Sequence, residues 1–175
     1  MAGFWDSGHK LFRTTPETYP AKFIAGNAFD DGHICPTAPV PSSPPPSLAS
    51  VNTLTELRGR ISVIHATYFF HLFDEEKKVE LAKRVASLLD LRPGSIIFGS
   101  DIGLPNKGEV RAASGNIFCH SPETWTEIWD GRVFEKGKVK VTTGFKEITT
   151  KGMEDVLLSL GGARLHWLPW CVEVL

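Results

Sequence analysis

In the stretch SVIHATYFFHLFDEEKK, residues 62–78, His65 and His71 stand six residues apart and enclose Tyr68, Phe69 and Phe70. Imidazoles ligate metals and carry protons, and aromatic rings wall pockets for small organic molecules. A metal reading needs a third ligand, and the sequence places none at a suitable spacing. The apolar run before His65 reads as a strand and the acidic run after Phe73 as the start of a helix, so the histidines lie at a strand-to-helix turn. Open α/β sheets gather their ligands at the carboxyl ends of strands. The stretch therefore reads as the lip of a small-molecule site.

The elements that must hold this lip follow from periodicity. ISVIHATYF supplies a buried strand through Ile61, Val63, Ile64 and Ala66. Asp74 is a good N-cap, Glu75 and Glu76 complement the helix dipole, and Val79, Ala82, Val85, Ala86 and Leu89 recur at helical spacing. LRPGS stops that helix and SIIFGSD begins the next strand, the rhythm of a parallel crossover. SPETWTEIWDG predicts a helix capped by Ser121, with Pro122 at its first position and Gly131 past its end. Trp125 and Trp129 share one face of it. KVKVTTGFKEI alternates as a strand, and RLHWLPWCVEVL is a last strand whose Pro169 marks an edge or a bulge.

Upstream, GFWDSGHKLF has apolar residues near helical spacing. AKFIAGNAF reads as a short strand centred on Phe23 and Ile24 and ended by Gly26 and Asn27. Six of the 12 prolines fall between Pro36 and Pro46, which makes residues 35–50 a Pro/Ser-rich loop insertion, exposed and polyproline-like. PSSP fits PxxP, but no arginine lies nearby, so a solvent loop or a lid is the better reading. The order is helix, strand, loop, strand, helix, strand, helix, strand, strand. That describes one α/β domain over residues 1–175 with a C-terminal antiparallel strand pair.

Composition narrows the partners. A formal net charge of −1 gives no electrostatic reason to expect nucleic acid or an anionic membrane. Cys35, Cys119 and Cys171 are scattered and odd in number, which suggests reduced thiols rather than a disulfide framework. No leader-like segment and no apolar run of spanning length is visible, so a cytoplasmic protein acting on a small molecule is expected. No two of the 16 glycines are separated by a single residue, so the GxG of a dinucleotide loop is absent. Gly94 with Gly99, and Gly103 with Gly108, have P-loop spacing without the following Lys. GSDIG is not the GxSxG of a serine hydrolase.

Together, FWDSGHKLF, AKFIAGNAFD, VIHATYFFHLFDEEKKVELAKRVASLL, PGSIIFGSDIG and SPETWTEIWDG resemble the later two thirds of fungal class I S-adenosylmethionine-dependent methyltransferases. The similar group serves secondary-metabolite pathways, meroterpenoid biosynthesis included. The resemblance implies a Rossmann-like sheet of six parallel strands and one antiparallel strand, N-terminally truncated here so that the first two strands, the Gly-rich loop and the ribose-binding acid are missing. It implies S-adenosyl-L-methionine as cofactor. It sets Asn27 and Ala28 beside the adenine, and His65 and Ala66 at the methionine end of the cofactor and the acceptor. Phe69, Phe70 and His71 would wall the acceptor pocket, with Trp125 facing substrate or simply packing.

Methyl transfer from a sulfonium is an in-line displacement that needs alignment and the exclusion of water. A carboxylate acceptor needs no base, whereas a hydroxyl needs one, and His65 or His71 is the candidate. The implied function is O-methylation of a small molecule, carboxyl methyl ester formation included, impaired by the missing loop. The alternative is a non-catalytic remnant or interaction module. Loss of the middle strands predicts either a rearranged sheet or a gap with open edges at KFIAG and ISVIHA, and with it self-association or a homo-oligomer.

Overall fold

The computed structural model describes residues 2–40, 44–112, 115–149 and 164–175. Helix α1 (Ala2–Phe12) leads into a long irregular segment, followed by strand β1 (Val63–His65), helix α2 (Glu75–Leu88) and strand β2 (Ile96–Gly103). A hairpin of β3 (Gly108–Ala112) and β4 (Gly115–Cys119) precedes helix α3 (Pro122–Trp129). Strands β5 (Val139–Thr143), β6 (Lys146–Glu147) and β7 (His166–Val174) close the order.

The principal sheet runs β1-β2-β7-β5, with β6 also pairing to β7. β1 and β2 are parallel, and β7 is antiparallel to both of its long neighbours, β2 and β5. Three strands therefore share one direction and β7 opposes them. Helices α2 and α3 cover one face. Val79, Ala82, Val85, Ala86 and Leu89, the periodic positions of the sequence, pack with Trp125, Ile128 and Trp129 of α3 onto Ile97, Leu168, Trp170 and Val172 of the sheet.

The caps fall where the sequence puts them. Asp74 accepts a hydrogen bond from the Lys77 amide, and Ser121 from that of Thr124, with Pro122 in the first turn of α3. Three expectations are corrected. Residues 21–27 form no strand: the Phe23 ring stacks on Trp5 of α1 at 5.2 Å, and the segment finds no strand to pair with. Among the described residues the strands of the sheet pair without a gap and β1 is its edge, so of the two alternatives expected the gapped one is not found. Pro169 lies in a central strand rather than at an edge. Its missing N–H is tolerated because the facing strand is interrupted between β5 and β6, where the Gly144 amide donates to the Pro169 carbonyl at 2.8 Å. The β3–β4 hairpin is an addition to the expected order. Of the 35–50 loop, residues 41–43 lie outside the described residues, and a short turn of 3-10 helix occupies Leu48–Ser50.

Candidate functional site

The segment after β1 stays beside β2: the Ala66 amide donates to the Phe98 carbonyl and the Tyr68 amide to the Ser100 carbonyl, both at 2.9 Å. Gly99 permits this. A Cβ there would fall on the Ala66 carbonyl, so only glycine lets the two backbones approach so closely. Tyr68 completes the turn at φ 51°, a left-handed conformation that non-glycine residues seldom adopt.

Opposite this turn lies the arm of residues 26–34. Arg84 of α2, buried, donates from Nη1 to Asp31 Oδ1 at 2.8 Å and to the Ile34 carbonyl at 2.6 Å, and also pairs with Glu80. The His33 ring packs directly on Gly26, and the His33 carbonyl accepts from the Thr55 amide at 2.9 Å. Between arm and turn is a cleft of about 520 Å³ at the carboxyl end of β1, lined by Gly26, Ala28, His33, Ile64, Ala66 and Phe69 among others. A smaller hollow of about 380 Å³ under α1, lined by Phe4, Trp5, Phe12 and Tyr19, lies away from the strand ends.

The cleft brings together Ala28, His65, Ala66 and Phe69 of the residues expected from sequence. Asn27 is exposed, and its Oδ1 accepts from the Phe29 amide at 3.1 Å, so the side-chain oxygen closes a turn. The His65 ring stacks on Phe98 at 4.8 Å on the face away from α2 and is hydrogen-bonded to Thr67 Oγ1 at 2.7 Å. Phe70 and Trp125 are corrected: both sit in the core, 1% and 0% exposed, edge to face at 5.1 Å, because the hydrophobic effect favours sealing these rings with Trp129 and Trp170. Neither forms a cleft wall.

Beside the cleft the structure holds a charged cluster. Asp101 on β2 lies 3.7 Å from Lys78 Nζ, which also donates to the Phe118 carbonyl at 2.6 Å. His71 Nδ1 is 3.8 Å from Asp101 Oδ1. Burial raises the Asp101 carboxyl above its ordinary range, opposed by the Lys78 charge, and burial lowers the Lys78 amine, opposed by Asp101. Burial likewise raises the Tyr68 phenol, with the hydrogen bond to Ser100 acting against it.

Asp101 and Lys78 were missed because charged residues are ordinarily read as solvated. The signal was spacing. Residues 97, 99, 101 and 103 alternate inward along β2, and Lys78 stands four and seven residues before Ala82 and Val85 on the buried face of α2.

The cleft matches an adenosyl sulfonium donor only in part. Its apolar lining of Ala28, Ala66 and Phe69 suits a purine and a thioether. Among the described lining residues there is neither a carboxylate for ribose hydroxyls nor a lysine or arginine for an amino-acid carboxylate. It fits part of such a donor. Among the described residues, no group of three His, Cys, Asp or Glu side chains is arranged to hold a metal ion, and no helix is long and apolar enough to cross a membrane.

The chain is 32% identical over 156 residues to the O-methyltransferase phiE of a fungal species, a match covering 87% of this chain and 43% of that protein. It is 27% identical over 146 residues to the Asnovolin E/Chermesin D methyltransferase nvfJ of Aspergillus novofumigatus, covering 82% and 43%. Against the methyltransferase adrK of Penicillium rubens the identity is 24% over 140 residues, covering 79% and 43%. No protein-family profile matches. The chain is a relative of fungal methyltransferases. It spans less than half the length of the curated relatives it matches.

Proposed function

We propose that this chain carries the acceptor side and part of the donor side of an S-adenosyl-L-methionine-dependent O-methyltransferase acting on a small-molecule secondary metabolite. The observation that carries this is the cleft at the carboxyl end of β1, which gathers Ala28, Ala66 and Phe69 in a chain similar to fungal methyltransferases over most of its length. The sheet supports the reading: β1, β2 and β5 point one way with β7 opposed between β2 and β5, an arrangement with one antiparallel strand among parallel ones as the resemblance implies for the later strands of a class I methyltransferase sheet.

In this reading Ala28 flanks the purine, Ala66 and His65 adjoin the thioether end, and Phe69 shields the acceptor from water. When bound, the donor supplies an electrophilic methyl group. The residues of this chain orient the acceptor and accept its proton. The sequence has no Gly-rich loop to hold the donor's amino-acid end, so these residues alone bind it weakly.

A second reading, a non-catalytic interaction module of the same ancestry, is favoured by that absence and by the turn that occupies Asn27. Ultraviolet cross-linking of methyl-labelled S-adenosylmethionine, followed by peptide mapping, distinguishes the two. Label on residues 26–34 or 64–69, competed by unlabelled donor, supports the enzyme reading. Label spread without competition supports the module.

A further inference from the structure

At the opposite end of the sheet from the cleft, where the chain enters its strands, three connections meet around a groove of about 580 Å³. Arg58 and Gly59 join the 3-10 helix Leu54–Leu57 to β1, Leu89 and Leu91 join α2 to β2, and Val133 and Phe134 join α3 to β5. Lys83, exposed on α2, also lines it. The Pro-rich loop supplies an outer wall: Val40 packs so closely on Gly59 that a Cβ there would lie 3.1 Å from Val40 Cγ1. Leu91 on the opposite wall is 65% exposed, so the groove opens to solvent. Two cations face it with no partner for their charge. Arg58 Nε is buried with no hydrogen-bond partner, and among the described residues neither Arg58 nor Lys83 forms an ion pair. The carboxylates of this region are committed elsewhere, Asp31 and Glu80 to Arg84 and Asp90 to Arg92. Nor does the end of α2 need the guanidinium: the Ser87 carbonyl accepts from the Gly59 amide at 3.0 Å, and the Leu88 carbonyl from the Arg60 and Ile61 amides at 3.1 and 3.0 Å. A guanidinium partly withdrawn from water without an acceptor carries a desolvation cost that an arriving anion relieves.

We infer that this groove is a second ligand site and that it takes a small amphipathic organic anion, with its carboxylate on Arg58 and Lys83 and its hydrocarbon on Leu89, Leu91, Val133 and Phe134. The planar fork of a guanidinium matches the two oxygens of a carboxylate, and the Lys83 ammonium adds a point charge beside it. The volume falls within the range of about 300–1,000 Å³ in which small molecules are held. A neutral apolar ligand would meet the same walls but leave both cations as they are. The inference stands apart from the methyl-transfer reading, because none of the residues lining this groove lines the cleft.

Equilibrium dialysis of radiolabelled decanoate against the full chain tests this at about pH 7.5, where a carboxylate is ionised, with decanol as the neutral probe of equal length. The expected result is saturable binding of decanoate, about tenfold or more tighter than decanol. Arg58→Met should weaken it about tenfold. Lys83→Met should weaken it about threefold, and because Lys83 is exposed this variant tests the charge without touching the core. Ala66→Trp, which fills the cleft, should leave decanoate binding unchanged. Equal binding of decanol, or an affinity unaltered in both charge variants, overturns the anion assignment. Loss of binding in Ala66→Trp places the ligand in the cleft and overturns the site. A decanoate affinity that falls as the chain is concentrated shows that a second copy fills the groove, which overturns the assignment to a small molecule.

Discussion

Lys78 Nζ and the Asp101 carboxylate approach to 3.7 Å between α2 and β2, with side chains only 1% and 3% exposed. Taking one partner away leaves the other charge buried and uncompensated, a loss of about 3–5 kcal/mol. Lys78→Met and Asp101→Leu should each lower the unfolding free energy read from urea denaturation by that much. The double variant should recover most of the loss, since two apolar side chains leave no charge behind. Equal losses in single and double variants would show that packing volume, and not charge, is what the pair contributes.

His120 gives the fold an acid limit. Its ring is buried, with Nδ1 hydrogen-bonded to Thr124 Oγ1 at 3.1 Å and Nε2 unpartnered, and burial lowers its pKa from 6.5 to about 3. The folded state thus binds fewer protons than the unfolded chain between those values. The stability contributed is present above about pH 6.5 and is lost as pH falls toward 3, on the order of 5 kcal/mol at most. His120→Gln keeps a polar side chain without this titration and should flatten stability between pH 7 and pH 4, as read by chemical denaturation at each pH.

At Gly99 a side chain would strike the backbone of Ala66, so Gly99→Ala should destabilise by about 3 kcal/mol and disturb the cleft wall. Gly108→Ala is the control, because nothing lies within 4 Å of the added methyl. Its effect should stay within about 0.5 kcal/mol. Thermal melts of the two variants make the comparison.

These positions show what the sequence could and could not tell. Helices α2 and α3 were legible because their caps and apolar spacing agree with their burial, and β2 and β7 because β-rich runs were bounded by turn residues. The stretch around Phe23 misled: its β-propensity is real, but a strand needs a neighbour, and here an aromatic stack with Trp5 takes its place. Of the expected site residues, Ala28 and Ala66 came from the resemblance and Phe69 from its place after a strand, and the cleft lies beside all three. Phe70 and Trp125 stayed open between pocket wall and core because aromatic character alone does not separate the two, and both lie in the core. Asp101 and Lys78 were missed because their burial depends on each other, and no single residue type announces a pair formed across α2 and β2.

The arm over the cleft hangs on Arg84. Arg84→Met removes its bonds to Asp31 and the Ile34 carbonyl, and should speed hydrogen exchange of the His33 and Ile34 amides, which both bond to the Asp30 carbonyl at 2.9 Å. Unchanged exchange there would mean that the Thr55 contacts hold the arm by themselves.

Strand β1 pairs only with β2 among the described residues, and Val63 on it is 55% exposed. An open apolar edge recruits other chains. We expect concentration-dependent self-association by light scattering, reduced by Val63→Lys, which charges the edge. A monodisperse species over a wide concentration range would contradict this.

The central claim is that the cleft between residues 26–34 and 64–69 is an incomplete donor site. Each missing charge-assisted hydrogen bond removes about 1.5–3 kcal/mol, so two of them weaken binding by about a hundredfold or more. Calorimetric titration of S-adenosylmethionine into this chain, beside full-length phiE, measures that directly. The account predicts affinity at least about a hundredfold below that of phiE, with the residual heat abolished by Ala66→Trp. Affinity equal to that of phiE, or residual binding that survives Ala66→Trp, would contradict it.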